Sequence, residues 1–296
     1  ETVCLSRTAS VGYVVVMGRP MATSQDFVNW VCSDELNPHY LKYALLSEQR
    51  ALRMFAVGSV HSTIYFPEVK AFHLCMPSRK VQDAVAATLG ALDDKIELNR
   101  KMNATLEAMA RALFRDWFVD FGPTRRKIDG ATDAIEIMGG LVADPDRARE
   151  LAALFPARLG DDGLPGGWEE KPLTEFFSII GGGTPKTSNA DFWDGPIPWF
   201  SVADTPPNGS VFVTDTEKTI TDAGLNGSSA RLVPKGTTII SARGTVGNLA
   251  VAGRDMTFNQ SCYGLRGAGS VGDYATFLIA QNMVSQLQAM AHGSVF

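Results

Sequence analysis

From Val81 to Phe118 the apolar positions step by alternating fours and threes: Val85, Leu89, Leu92 and Ile96, then Asn99 and Asn103, then Leu106, Ala110, Leu113 and Trp117. A period of 3.5 keeps one seam turned towards a partner helix, so this run predicts a long helix of the coiled-coil type. It holds no proline and only one glycine, Gly90. At the α-helical rise it would extend on the order of 55 Å. Asn99 and Asn103 fall in the seam, where a buried amide fixes register or partner at some cost in stability. The alternative is an ordinary core helix of a globular domain, but those average about three turns and this run is far longer.

Before the long run the pattern is mixed. Thr2–Leu5 and Tyr13–Met17 alternate as strands, joined by Ser6-Arg7-Thr8-Ala9-Ser10-Val11-Gly12, with nothing ahead of them to pair with. Asn37-Pro38 is a helix start signal and predicts an amphipathic helix from about His39 to Ala56. Residues 58–63 read as a polar loop, Ile64–Phe66 and Phe72–Met76 as short strands, and Pro77 precedes the long helix. Beyond Phe118, residues 121–167 are rich in Gly, Pro and Asp and read as a linker with one helical patch near Asp144–Leu154. Trp168 opens a second unit. Phe176–Ile180 is apolar, Gly181-Gly182-Gly183-Thr184-Pro185 turns, Ile197–Phe200 is extended, Thr237–Ile240 and Asn248–Ala252 form a strand pair, and a helix runs from about Asp273 to Ala291.

The two ends of the chain repeat each other. At a constant offset of 235 residues Ser6 matches Ser241, Val11-Gly12 match Val246-Gly247, and Val16 matches Val251. The register holds through Gly18-Arg19 with Gly253-Arg254, Met21 with Met256, Gln25 with Gln260, and Gly58-Ser59-Val60 with Gly293-Ser294-Val295. Chance similarity does not keep one register over so long a span. The expected organisation is α+β: the C-terminal part of one domain copy at 1–78, the helix at 79–120, the linker at 121–167 and the N-terminal part of a second copy at 168–296. One coiled-coil-type helix thus separates two partial α/β domains.

Composition narrows the function classes. With 45% hydrophobic and 20% charged residues the 296-residue chain can bury real cores. No apolar run approaches bilayer length and the first residues lack a signal-peptide pattern, so a cytoplasmic protein with no membrane partner is expected. Cys4, Cys32, Cys75 and Cys262 show no CxxC spacing, which speaks for reduced thiols and against zinc. A net charge of −5 argues against holding nucleic acid by bulk attraction alone; any DNA contact must come from local basic residues or a partner.

The candidate chemistry is thin. Gly267-Ala268-Gly269-Ser270-Val271-Gly272 is a literal GxGxxG, but the acidic residue expected about twenty positions on is missing, and the matching stretch of the first copy, Val31 to Asn37, has no glycine. Gly181 to Thr187 resembles a phosphate loop except that Pro185 stands where glycine should precede Lys186. His39, His61, His73 and His292 are dispersed, no Ser, His and acid have catalytic spacing, and Glu68-Val69-Lys70 lacks the preceding Asp of a nuclease signature. No Asn-Pro-Pro-Tyr-like methyltransferase tetrapeptide occurs. The chain is expected to catalyse nothing and to hold no metal.

Several stretches in order resemble the specificity subunit of type I restriction-modification systems. They are Pro77 and Gln82 leading into Leu92-Asp93-Asp94-Lys95-Ile96-Glu97-Leu98-Asn99, and the Leu113-Phe114-Arg115-Asp116-Trp117-Phe118-Val119-Asp120-Phe121 exit. Trp168 with Gly181 to Pro185, Pro198-Trp199, Ser241-Ala242-Arg243-Gly244-Thr245-Val246-Gly247 and the two Gly-Ser-Val loops complete the set. The resemblance covers nearly the whole chain but departs in extent. The family has two full target-recognition domains and two long antiparallel helices; the head of the first domain, the tail of the second and the second helix are not found here.

The resemblance implies that each target-recognition domain reads one half of a split site on double-stranded DNA, with the helices setting the unread spacer. Adenine methyltransferase subunits and a restriction and translocation subunit are the implied protein partners. S-adenosylmethionine and base flipping belong to the methyltransferase, so no cofactor is expected on this chain. Base and phosphate contacts need Arg, Lys, Asn, Gln, Ser or Thr on exposed loops. The candidates are Arg7, Thr8 and Ser10 in the first copy, with His61 and Ser62 to reach phosphate, and Lys186, Thr187, Ser188, Arg243 and Thr245 in the second. The seam of Leu89, Leu92, Ile96, Asn99, Asn103, Leu106, Leu113 and Trp117, lacking its second helix, is expected to drive self-association. Two other readings stay open at this point: a coiled-coil adaptor that binds only proteins, and the recognition part of a fused restriction-modification enzyme.

Overall fold

The computed structural model describes residues 1–8, 10–55, 63–207, 210–243 and 245–292. They form two compact units, residues 1–99 and 100–296, divided within the long helix.

The first unit opens with an antiparallel sheet of β1 (Thr2–Ser6), β2 (Val14–Val16) and β3 (Phe27–Val31) in the order β2-β1-β3. The pairing that the first strands lack ahead of them is supplied from behind, by β3, which the sequence reading passed over. The expected single helix is two, α1 (Pro38–Ser47) and α2 (Gln49–Phe55). Asn37 caps α1, its side chain accepting from the His39 and Tyr40 amides, and at Glu48 the backbone leaves the helix and its N–H turns back to the Leu45 and Leu46 carbonyls.

Neither short strand expected next is present. Phe66–Lys70 is a helical turn, α3, with Pro67 and Glu68 in its first turn, where a missing N–H is harmless and an acid meets the positive helix end. Ile64 is instead a fully buried core residue beside Val3, Leu5, Val28, Leu41, Leu45 and Leu52, and residues 72–76 form no strand. Three- and five-residue apolar runs carry no period of their own, which is why these two misled.

The long helix, α4, runs Arg79–Phe118 over 40 residues. Its first turns are pinned to α1. Gln82, 1% exposed, accepts from the Asn37 N–H at 2.9 Å and donates to the Glu35 and Pro77 carbonyls at 3.0 and 2.8 Å. Asp83 accepts from Arg79 and from the Asn37 side chain, both at 2.7 Å, and Asp93 from Lys42 at 2.6 Å and Tyr43 at 2.8 Å. In the seam, Leu89 is half-buried while Leu92, Ile96, Asn99 and Asn103 are exposed.

Residues 121–167 are not an open linker. They fold into α5 (Gly122–Ile128), α6 (Ala134–Ile137) and α7 (Pro145–Ala153), packed on Ile137, Met138, Ala148, Ala152 and Phe155. The end of α4 belongs to this packing. Phe118 stacks on Trp168 at 6.1 Å, and Trp117 meets Phe155 edge-on at 5.9 Å. Arg126 forks onto Asp116 at 2.7 and 3.1 Å, and Lys127 donates to the Ala152 and Phe155 carbonyls around the end of α7 at 2.7 and 2.6 Å. The Asp and Pro residues that suggest a linker are helix starts: Asp133 and Asp144 cap α6 and α7, and Pro123 and Pro145 occupy first turns.

After α8 (Leu173–Phe176) the second unit builds two sheets from β4 (Phe177–Gly181), β5 (Trp193–Phe200), β6 (Phe212–Val213) and β7 (Lys218–Ile220), then, past the short α9 (Asp222–Asn226), β8 (Thr238–Ser241), β9 (Leu249–Ala252), β10 (Thr257–Phe258) and β11 (Cys262–Gly267). The orders are β4-β11-β8-β9-β6 and β10-β5-β7. Phe200, Val233, Ile239, Met256 and Phe258 form the main core, and α10 (Asp273–His292) packs on β8, β9 and β11. Asn103, Leu106, Glu107 and Ala110 of α4 line a mainly apolar cavity of about 360 Å³ with Phe212, Tyr274 and Phe277.

The repeat is structural and exact in register. In the first copy Val3 pairs with Val16, Cys4 with Val15 and Leu5 with Val14. Adding 235 gives Thr238 with Val251, Ile239 with Ala250 and Ile240 with Leu249, the pairs of β8 and β9. The other flank agrees, since Val3–Trp30, Cys4–Asn29, Leu5–Val28 and Ser6–Phe27 become Thr238–Leu265, Ile239–Gly264, Ile240–Tyr263 and Ser241–Cys262. The expected α+β class, with one long helix between two domains, is the architecture found.

Candidate nucleic-acid interface

The matched strands carry matched loops. In the first copy the Ser6 N–H donates to the Tyr13 carbonyl at 2.8 Å and the Gly12 N–H to the Ser6 carbonyl at 3.0 Å; in the second, Ser241 donates to Asn248 and Gly247 to Ser241, both at 2.9 Å. Gly12 and Gly247 sit at φ +98° and +91°, a conformation that costs an L side chain strain. Serine and glycine thus close the same neck twice. In the second copy the closure is tighter: the Ser241 hydroxyl donates to the Thr245 carbonyl and accepts from the Asn248 N–H, while the Gln288 amide donates to the Val246 carbonyl at 3.1 Å.

The candidate residues fare differently within these loops. Arg7 is an internal clamp: its guanidinium donates to the Gln25 carbonyl at 2.9 Å and the Ile64 carbonyl at 3.3 Å and lies 5.6 Å from the Phe66 ring centre. Thr8 forms a bridge with Thr63, and Ser10 is exposed. His61 and Ser62 lie outside the described residues, as do the two Gly-Ser-Val loops. Arg243 and Thr245 are exposed, and Arg243 makes no hydrogen bond or ion pair among the described residues. Lys186, Thr187 and Ser188 are exposed on the loop that follows β4.

Antiparallel pairing brings the second-copy candidates together. β4 ends at Gly181 opposite Tyr263, and β8 ends at Ser241 opposite Cys262, so the 182–189 loop, the 242–248 loop and the 259–261 turn leave one end of the sheet. The Thr184 hydroxyl bonds to the Gln260 side chain, and the Ala242 N–H to the Ser261 carbonyl at 2.8 Å. The glycines before Thr184 are packing residues. A Cβ on Gly182 would lie 2.0 Å from the Asn259 carbonyl oxygen, and one on Gly183 2.2 Å from the Ala230 nitrogen, which leaves no cradle for phosphate. Sequence reasoning missed Gln260 itself, an exposed amide between the two loops, although its match with Gln25 was the signal.

The GxGxxG run is likewise a turn, from β11 into α10. A Cβ on Gly267 would lie 1.9 Å from the Val271 carbonyl oxygen, and Arg266 bonds Asp273 at 2.9 Å across it. Among the described residues no three His, Cys, Asp or Glu are grouped to hold a metal, and no helix is long and apolar enough to cross a membrane. Burial pushes the Cys262 thiol up to about 11 and raises Cys4 as well, so both are poor nucleophiles.

The type I restriction modification DNA specificity domain matches residues 1–108 and 165–296. The chain belongs to that family. The match passes over 109–164, which hold the end of α4 and the α5–α7 packing. The HindI specificity subunit of Haemophilus influenzae is 29% identical over 287 residues, covering 82% of this chain and 62% of that one. The MjaIX specificity subunit of Methanocaldococcus jannaschii is 30% identical over 203 residues, 68% of this chain and 41% of that one. This chain therefore spans less than two thirds of either relative. A solved type I S subunit from M. genitalium aligns over 99% of this chain and 66% of its own length, at 13% identity and a TM-score of 0.43.

Proposed function

We propose that this specificity-family chain is the DNA-recognition component of a type I restriction-modification complex, reading a bipartite site. Each copy of the repeat contributes one reader, and α4 sets the unread distance between the half-sites. The observation that carries this reading is the shared register: two sheets in one polypeptide pair residue for residue and present equivalent loops on either side of a 40-residue helix in the sequence. Ser10, Lys186, Thr187, Ser188, Arg243 and Thr245 supply the donors and charge a groove or backbone contact requires.

The chain has no catalytic part in this scheme. Adenine methyltransferase subunits dock on it and bring S-adenosylmethionine and the base-flipping chemistry, and a restriction and translocation subunit completes the assembly. An acidic protein grips DNA in this way through local residues and its partners together.

Co-expression with an adenine methyltransferase, followed by footprinting on a library of duplexes, tests the reading. Two protected half-sites separated by an unprotected spacer are expected. A complex that forms but protects no particular sequence would make the chain a coiled-coil adaptor instead.

A further inference from the structure

The two reader loops share a frame but differ in what they offer to DNA. At the repeat offset Arg7 corresponds to Ala242, and Arg243 corresponds to Thr8. The first copy therefore spends its arginine inside the fold, tied to two carbonyl oxygens and an aromatic ring. The second puts its arginine one residue further along, beyond the neck, exposed and without an internal partner. That neck is held by four hydrogen bonds through Ser241, Gly247 and Asn248, with Gln288 adding a fifth, so the base from which Arg243 projects is ordered before anything binds.

Resting on the function proposed above, the geometry points to Arg243 as a phosphate contact of the second reader with no cationic counterpart in the first, where Arg7 only braces the loop. The contact is to phosphate rather than to a base edge. Bidentate reading of guanine needs a guanidinium whose plane is fixed by neighbouring groups, and none of the described side chains bonds to Arg243 to fix it. A backbone contact needs only the charge. The two half-sites then contribute unequally to salt-dependent affinity.

The test is fluorescence anisotropy of the full chain, alone and with a co-expressed adenine methyltransferase, on a 30-base-pair duplex of arbitrary sequence over a salt series. Arg243→Ala is expected to reduce the slope of log affinity against log salt by about 1, and Arg243→Lys to keep it. Arg7→Ala is expected to keep the slope while lowering the melting temperature of residues 1–99. Wild-type binding with an unaltered slope in Arg243→Ala overturns this assignment alone, as does a slope lost in Arg7→Ala with no change in melting. Loss of the slope in Arg243→Lys as well overturns the phosphate contact. A wild-type chain that binds no duplex in either state overturns the DNA-recognition reading, and this one with it.

Discussion

Gln82 is the side chain on which the start of α4 depends, and replacing it gives a graded test. It is 1% exposed and satisfies three backbone groups at once: the Asn37 N–H, the Glu35 carbonyl and the Pro77 carbonyl. Gln82→Met keeps the volume and strands all three. Each stranded group costs about 1–3 kcal/mol when fully dry; Glu35 is exposed, so water relieves part of the loss, and the sum comes to about 2–4 kcal/mol. Gln82→Glu keeps the acceptor for Asn37 but sets a carboxylate against two carbonyl oxygens, so it should be at least as costly at neutral pH, with partial recovery in acid once the carboxyl can donate. For a unit of 99 residues the Gln82→Met loss lowers the melting temperature by roughly 10–20 °C. Hydrogen exchange read by mass spectrometry should show protection lost in β1–β3, α1 and the first turns of α4 while β4–β11 keep theirs. Wild-type stability in Gln82→Met would show that the amide merely fills space, and equal loss in both units would show that they do not unfold separately.

Three further outcomes follow from the same geometry. Gly12→Ala should cost about 1–2 kcal/mol from its positive φ alone, and Gly247→Ala more, because its Cβ would lie 2.8 Å from Val284 whereas that of Gly12 meets only Gln49 at 4.0 Å; equal costs in urea titrations would refute the comparison. Hydrogen bonds from Arg79 and Asn37 hold the Asp83 carboxyl below its ordinary 3.8. A lowered folded value means its contribution is complete above the ordinary value and lost as pH falls through the folded one, so the melting difference between wild type and Asp83→Asn should close in acid below 3.8 and stay open at pH 7. Finally, Leu92 and Ile96 are 54% and 48% exposed on a helical seam, so sedimentation should show self-association that Leu92→Glu with Ile96→Glu abolishes; a strictly monomeric wild type would count against it.

What could be read in the sequence had a period or a register to carry it. The long helix came from its 3.5-residue step and the repeat from its constant offset, while the strands at Thr2–Leu5 and Tyr13–Met17 and the pair at Thr237–Ile240 and Asn248–Ala252 came from local alternation. β3 was missed although Phe27-Val28-Asn29-Trp30-Val31 is as strand-like as its neighbours; projecting the second copy's Cys262–Gly267 back by 235 would have found it. The α5–α7 packing was missed because Asp, Pro and Gly mark helix starts and stops as well as linkers, and only tertiary contact tells which. At the site, residue type identified Arg7 and Arg243 alike. Which one is occupied depends on carbonyls 18 and 57 residues away, a distance no local pattern reports.

The differences between the copies explain why the loop necks are the constant feature. Val15, Met21 and Phe27 are 53%, 53% and 36% exposed, while their counterparts Ala250, Met256 and Cys262 are fully buried. β5 and β10 cover that face in the second copy, and residues 1–78 contain no described equivalent of them. On the opposite face the balance reverses. Leu5 and Val28 are 0% and 6% exposed beneath Ile64, Val69 and Leu52 in the first copy, whereas their counterparts Ile240 and Tyr263 are 8% and 43% exposed in the second. The strand pairs and the serine–glycine neck keep one register under either cover, because main-chain hydrogen bonds and two small residues define them rather than the shape of a particular core. A domain built this way can change the residues on its loop and its covering layers without losing the place from which the loop projects, and that separation of frame from contact is what the function proposed above would require of a single fold.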